Sequence, residues 1–161
     1  MPSDLTREDA VDLLKLGAKV VRIGAVGCRE ESDSEFAGFL DDPTTELREL
    51  RETVSMLAEF DIGVIITLHE QVVSAELWTL IAAAFRQQPN VIGYNLINEP
   101  HVDADTECHF REVQNIPESA LDDYFDKLTG FYQKVRSVDK ITPIIVEPTF
   151  WAKPCALPRF H

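Results

Sequence analysis

Apolar positions along the chain follow two alternating rhythms. One is the three-and-four spacing of an amphipathic helix, and the other is a short unbroken run of the kind found in a strand covered on both faces. Thr6 followed by Asp9 reads as a capping box with Asp in the usual place of Glu, and Val11, Leu13, Leu14 and Leu16 supply apolar positions for a first helix that Gly17 ends. Lys19 to Val26, rich in valine, isoleucine and small residues and bounded by Gly27, predicts a strand. Residues 28 to 44 are acidic and hold Gly38 and Pro43, which predicts a loop. Glu46 to Phe60 then sets Leu47, Leu50, Val54, Leu57 and Ala58 on one helical face.

Ile62 to Leu68 is β-branched and apolar throughout, so a second strand follows the second helix. Leu77 to Phe85 predicts a strongly apolar helix, with Trp78 in the core, that Pro89 and Asn90 close. Val91 to Ile97 is again a short strand, stopped by Asn98, Glu99 and Pro100. After a polar stretch, Pro117 to Ser137 carries Leu121, Tyr124, Phe125, Leu128, Phe131, Tyr132 and Val135 at helical spacing, and Ile141 to Val146 leads into Glu147 and Pro148. Helix and strand thus alternate four times, which predicts an α/β fold with a parallel sheet in a single domain over residues 1–161. The rhythm fits a doubly wound sheet as well as a segment of a barrel, and neither by itself names a reaction.

Charge narrows the partners. Lysine and arginine number 15 against 28 aspartate and glutamate, a formal charge of −13, which argues against nucleic acid or an anionic membrane as a partner. The acidic residues are spread along the chain, as on a solvated surface. Cys28, Cys108 and Cys155 are odd in number and far apart, so neither a closed disulfide framework nor a metal-ligand pair is expected. The first residues are polar and acidic, with no apolar core of a signal peptide, and no run approaches the ~20 apolar residues of a membrane span. A soluble chain is expected, and its compartment is left open.

Residues able to do chemistry stand where the predicted strands end. Arg22 lies in the first strand, His69 and Glu70 follow the second, Asn98, Glu99 and His101 follow the third, and Glu147 and Trp151 follow the fourth. In α/β folds, barrel or open, that edge carries the ligands. Each residue alone has a plainer reading: a lone histidine at a strand end is commonly a packed or hydrogen-bonded structural residue, and Arg22 could equally be a structural ion-pair partner.

Three stretches carry a resemblance to glycoside hydrolase family 5 and its barrel relatives, which include cellulases and mannanases. "LLKLGAKVVRIG" resembles the first helix running into the family's strand two, and "DIGVIITLH" resembles strand three. "LWTLIAAAFRQQPNVIGYNLINEPH" resembles the helix and strand four that bear the Asn-Glu-Pro signature, and "ITPIIVEPTFWA" looks more loosely like strand five. The likeness implies a partial TIM (β/α)8 barrel spanning strands two to five, with oligo- or polysaccharide as ligand and no cofactor or metal. Glu99 matches the general acid/base that protonates the leaving glycosidic oxygen and later activates water. Such a group must hold a proton near neutral pH, and partial burial at a crowded strand end is one way to favour that. Asn98 matches the residue contacting the sugar beside the scissile bond, Arg22 the arginine near the nucleophile, and His69 an active-site histidine. His101 adds a further polar group beside Glu99, and Trp151 either stacks on a sugar face or plugs the strand end.

The chain also departs from the pattern. No residue matches the family's nucleophile, a glutamate on strand seven, and "ITLHEQVV" lacks the usual acidic residue and Pro-Gly around the strand-three histidine. Glu147 is the candidate second carboxylate. It ends the strand next to that of Glu99, and strands ~4.8 Å apart are compatible with the ~5–5.5 Å between the carboxyls of a retaining glycosidase. As a strand stop, the same Glu-Pro would leave an exposed carboxylate. The resemblance thus implies retaining hydrolysis of a β-linked polysaccharide of the cellulose, β-glucan or mannan class, the alternative being an inactive or carbohydrate-binding barrel fragment. Four strands with an uncovered inner face would also expose apolar surface and two edges, so a homodimer completing the barrel is expected.

Overall fold

The computed structural model describes residues 5–25, 43–69, 74–100 and 118–148. Within them α1 (Arg7–Lys15), β1 (Val20–Gly24), α2 (Pro43–Ala58), β2 (Gly63–His69), α3 (Ala75–Phe85), β3 (Val91–Asn98), α4 (Glu118–Val138) and β4 (Ile144–Ile145) follow one another in chain order. Helix starts are set by caps. Thr6 Oγ1 accepts the Asp9 N–H at 3.2 Å while Asp9 Oδ2 accepts the Thr6 N–H at 2.8 Å, so the aspartate completes the capping box in place of glutamate. Ser74 caps α3 by accepting the Leu77 N–H at 3.1 Å. α1 ends at Gly17, whose φ of +80° is left-handed, and the Gly17 and Ala18 amides close back on Leu14 and Leu13.

Two boundaries differ from the sequence expectation for identifiable reasons. α2 begins at Pro43 rather than Glu46. A proline at the first helical position has the right φ and lacks an amide that would be unpaired there anyway. β4 spans Ile144–Ile145 rather than Ile141–Val146. Asp139 Oδ1 accepts the Ile141 and Thr142 amides, which folds residues 139–142 into a turn, and Pro143 then re-enters the sheet only through its carbonyl, which accepts the Tyr94 N–H at 2.9 Å. Ile141 is accordingly 83% exposed.

The four strands are parallel and stand in the order β1-β2-β3-β4. A doubly wound sheet reverses its order at a switch point, and no described strand does so. Crossovers of one hand that step one way keep the helices on a single face and roll the sheet, which is the construction of a (β/α) barrel segment.

The helix-facing side holds the core: Val64, Ile66 and Leu68 of β2 and Tyr94 and Leu96 of β3 are fully buried with Leu50, Val54 and Leu57 of α2 and Trp78 and Ile81 of α3. In α1 the packed residues are Ala10, Leu13 and Leu14, whereas Val11 and Leu16 face outward. Trp78 meets the Tyr94 ring edge-on at 5.8 Å and donates its indole N–H to the Leu96 carbonyl at 3.0 Å, so its polar atom is satisfied inside the core. On the opposite, concave side the strands approach closely at Gly93, where a Cβ would lie 3.0 Å from Ile145 Cδ1 and 3.7 Å from Ile65 Cγ1. Among the described residues no helix is long and apolar enough to cross a membrane.

Candidate active site

The concave side turns polar toward the carboxyl ends of the strands. Register places Gly24, Thr67, Asn95 and Ile145 in one row across the sheet, with Arg22 two residues before Gly24 and Glu147 two residues after Ile145. Side chains two apart on a strand share a face, so Arg22, Thr67, Asn95 and Glu147 project into the same hollow. Arg22 Nη1 lies 2.6 Å from Glu147 Oε1. β1 and β4 are the outermost strands, ~14 Å apart if the sheet were flat, so this ion pair also measures how far it has rolled.

Glu147 is the hub. Its Oε1 accepts from Arg22 and from the Asn95 amide, its Oε2 accepts the Glu99 backbone N–H at 3.0 Å, and its own carbonyl accepts the Tyr124 hydroxyl at 2.6 Å. The carboxylate is largely covered, at 14% exposure, whereas the Arg22 side chain is 45% exposed. Asn95 is buried, and its Oδ1, like the neighbouring buried Thr67 Oγ1, has no partner among the described residues. Two open acceptor positions at the floor of a hollow are unusual, because buried polar atoms are nearly always paired.

Glu99 follows the last residue of β3 and is exposed, with φ +47°. A non-glycine residue in the left-handed region is strained, and such strain collects at functional positions. Asn98, buried at the end of β3, is paired in register with His69 at the end of β2. The His69 side chain lies outside the described part of the structure, as do Glu70, His101, Trp151 and the three cysteines. Of the residues singled out in the sequence, the structure therefore brings Arg22, Glu147 and the Glu99 backbone into direct contact and sets Asn98 beside them.

Asn95, Thr67 and Tyr124 were not singled out. The signal for the first two is present in the sequence as a lone polar residue inside an apolar strand, Asn95 in "VIGYNLI" and Thr67 in "VIITL". Tyr124 has no such signal, because it reads as one more apolar position on α4. No cluster of three metal-ligating side chains is found among the described residues.

Beneath β4 lies a second polar cluster. Asp139 accepts the Ile141 and Thr142 amides at 3.0 and 3.1 Å and the Tyr94 hydroxyl at 3.0 Å. Burial works to raise its carboxyl, but hydrogen bonds from the Thr142 side chain and backbone, Ile141 and Tyr94 outweigh it and hold the group below the usual aspartate range. Burial first, and the adjacent Asp139 second, push the Tyr94 hydroxyl above the ordinary tyrosine range.

The family model for cellulase, glycosyl hydrolase family 5, matches residues 3–157. No curated protein matches by sequence. Among solved structures, a Pseudomonas stutzeri endoglucanase in complex with cellobiose is 19% identical with a TM-score of 0.68, over 97% of this chain and 47% of its own. A Thermotoga maritima enzyme in complex with mannotriose is 18% identical with a TM-score of 0.66, over 98% and 49%, and a broad-specificity endoglucanase from Clostridium longisporum is 14% identical with a TM-score of 0.66, over 91% and 44%. The chain spans about half the length of these enzymes. Their likeness fixes the fold as a partial TIM barrel, and the family model, matching nearly the whole sequence, shows that the chain belongs to glycosyl hydrolase family 5, a family of glycoside hydrolases.

Proposed function

We propose that this chain hydrolyses O-glycosidic bonds in a β-linked polysaccharide of the cellulose, β-glucan or mannan class by a retaining mechanism, with Glu99 as the acid/base. The observation that carries the reading is the place of Glu99: it directly follows β3, exposed and strained, at the polar rim of a hollow. From there its carboxyl protonates the leaving oxygen in the first step and takes a proton from water in the second. Asn98, Arg22 and His69 line the sugar beside the bond, with His101 and Trp151 as further contacts. The cellobiose and mannotriose bound by the two enzymes above favour a β-linked hexose polymer as substrate.

The displacement also needs a second carboxylate, ~5–5.5 Å from the first in retaining enzymes. Glu147 stands beside Glu99, but both of its oxygens already accept hydrogen bonds, so the attack is not assigned to it. A second copy is our choice for the half that completes the barrel. β1 and β4 are the two edges of the described sheet, Val20 at the start of β1 and Val146 just after β4 are exposed, and a two-fold dimer pairing β1 with the partner's β4 makes eight strands around one mouth. Light scattering at micromolar concentration tests the association, and a mass of one chain overturns it.

Activity is tested on soluble β-glucan and mannan. Glu99→Gln is expected to lower hydrolysis by the ~10²- to 10⁴-fold typical of a lost proton transfer, and undiminished activity would remove Glu99 from the chemistry. The anomer formed first, read by NMR before mutarotation, is expected to be β. An α product would reject retention.

A further inference from the structure

We propose that Glu147 is a positioning residue: with Arg22 and Asn95 holding one oxygen, its other oxygen accepts the Glu99 N–H and fixes the acid/base glutamate in its left-handed conformation. The inference rests on the reading of Glu99 as the acid/base and assigns Glu147 a task other than nucleophile.

Three observations converge. The first is strain. Glu99 has φ +47°, a conformation that a side chain with a Cβ leaves readily unless its surroundings hold it. The second is the division of labour between the two oxygens. Oε1 takes both side-chain donors, Arg22 at 2.6 Å and Asn95, while Oε2 is left to the Glu99 amide at 3.0 Å. A hydrogen bond from a backbone amide to an ion is among the stronger kinds, and this one joins the residue after β3 to the second residue past β4. The third is how firmly Glu147 itself is held, since the Tyr124 hydroxyl on α4 grips its backbone carbonyl at 2.6 Å. A side chain fixed at both ends and largely out of solvent can impose a conformation on a neighbour. One that was free and exposed could not.

The arrangement makes a discriminating substitution available. In Glu147→Gln the side chain keeps its shape, but only one of its two outer atoms is still an acceptor. Arg22 and Asn95 both donate to the Oε1 position, so the amide oxygen settles there and its NH2 turns toward the Glu99 N–H. Donor then faces donor. The substitution is expected to release Glu99 while leaving the rest of the cluster in place. Glu147→Asp keeps two acceptor oxygens on a shorter stem and is expected to regain part of the effect.

The experiment is a ¹⁵N-edited spectrum of the full chain with hydrogen exchange at the Glu99 amide, alongside steady-state hydrolysis of soluble β-glucan. In Glu147→Gln the Glu99 amide proton is expected to move upfield and exchange faster, kcat to fall about 10²-fold as for a misplaced catalytic group, and KM to change little. Glu147→Asp should lie between this variant and the wild type. An unmoved Glu99 amide in a folded Glu147→Gln protein overturns the inference whatever the activity does, and leaves the acid/base reading of Glu99 standing. A shifted amide with unchanged kcat also overturns it, because the contact would then be structural only. If Glu99→Gln leaves hydrolysis intact, the acid/base reading itself fails, and that result does not depend on any Glu147 variant.

Discussion

Asp139 and Glu147 flank β4, one before it and one after, and both are carboxylates whose two oxygens accept hydrogen bonds. The likeness ends there. The Ile141 and Thr142 amides and the Thr142 side chain that donate to Asp139 belong to its own turn, and the remaining donor is the neutral Tyr94 hydroxyl from the adjacent strand. Glu147 draws its donors from β1, from β3 and from the residue after β3, and one of them is a guanidinium. The cluster below the strand is closed, since the Asp139 carboxylate is taken up by its own turn and by Tyr94 of β3. The cluster above it is open, with a strained Glu99, an exposed Arg22 and two buried acceptors that have no partner among the described residues. In a (β/α) barrel the amino-terminal end of the strands serves stability and the carboxyl-terminal end serves function, and one short strand here separates the two.

The largest expected effect breaks the upper cluster alone. Glu99→Gly removes the carboxyl and also the Cβ that makes φ +47° unfavourable. Hydrolysis of soluble β-glucan should fall ~10²- to 10⁴-fold, while stability to urea stays level or rises by up to about 1 kcal/mol. A loss of stability comparable to that of a core substitution would show that Glu99 serves the fold, and the contrast with Asp139 would collapse.

The reverse experiment is Asp139→Ala. It strands the Ile141 and Thr142 amides and the Tyr94 hydroxyl together, and leaving buried polar groups unpaired costs ~2–3 kcal/mol. Urea unfolding should show that loss, with kcat per folded molecule unchanged. If kcat falls as much as stability, the two ends of β4 are coupled rather than separate.

This division is only half legible in the sequence. Asn-Glu-Pro after a buried strand marks Glu99, and a carboxylate after the next strand marks Glu147, because strand ends can be found from apolar runs that stop abruptly. The helices are legible for the same reason, as the faces of α2 and α4 show. Asp139 is not. In "SVDKITP" it reads as a solvated turn residue, and nothing local reveals that Tyr94, far along the chain, donates to it. The same turn consumes Ile141 and Thr142, so a run that looks like a six-residue strand yields a two-residue one. The Glu147 hub is hidden too, since Arg22 and Asn95 reach it only after the sheet has rolled.

A smaller effect probes what joins the two clusters. Gly93 lies between them on the concave side, and the methyl of Gly93→Ala would meet Ile145 Cδ1 at 3.0 Å. The contact is with the end of a flexible side chain, so the cost is expected to be about 1–2 kcal/mol, at the lower end for overpacking. β4 should shift outward on the Ile145 side, weakening the Tyr94 and Asn95 pairings to it. Hydrogen exchange at Tyr94, whose amide donates to Pro143, would register the shift. No change there would mean that β4 is held by its end clusters and not by the strand itself.

The smallest effect concerns Tyr94→Phe, which removes one donor from Asp139 and nothing from the upper cluster. At neutral pH the loss should be about 1 kcal/mol, the net worth of one hydrogen bond, and hydrolysis should be untouched. Its pH dependence is the sharper readout. The Asp139 carboxyl is held below its ordinary range in the folded protein, so it contributes stability that is present above the unfolded value and lost as pH falls through the folded one. Tyr94 is one cause of that depression, so the deficit of the variant should shrink in acid, where the protonated carboxyl no longer rewards the donor. At the alkaline end the sign reverses in origin but not in result. The Tyr94 hydroxyl is raised by burial and by Asp139, so its contribution is whole below the ordinary tyrosine range and declines as pH rises through the folded value. Phenylalanine has nothing to ionise, and the deficit should shrink again. Urea midpoints across the pH range are therefore expected to separate wild type and variant most widely near neutrality and to converge toward both extremes. A constant separation would show that the Tyr94 hydroxyl contributes without responding to the Asp139 charge, and that the lower cluster is not organised around that charge.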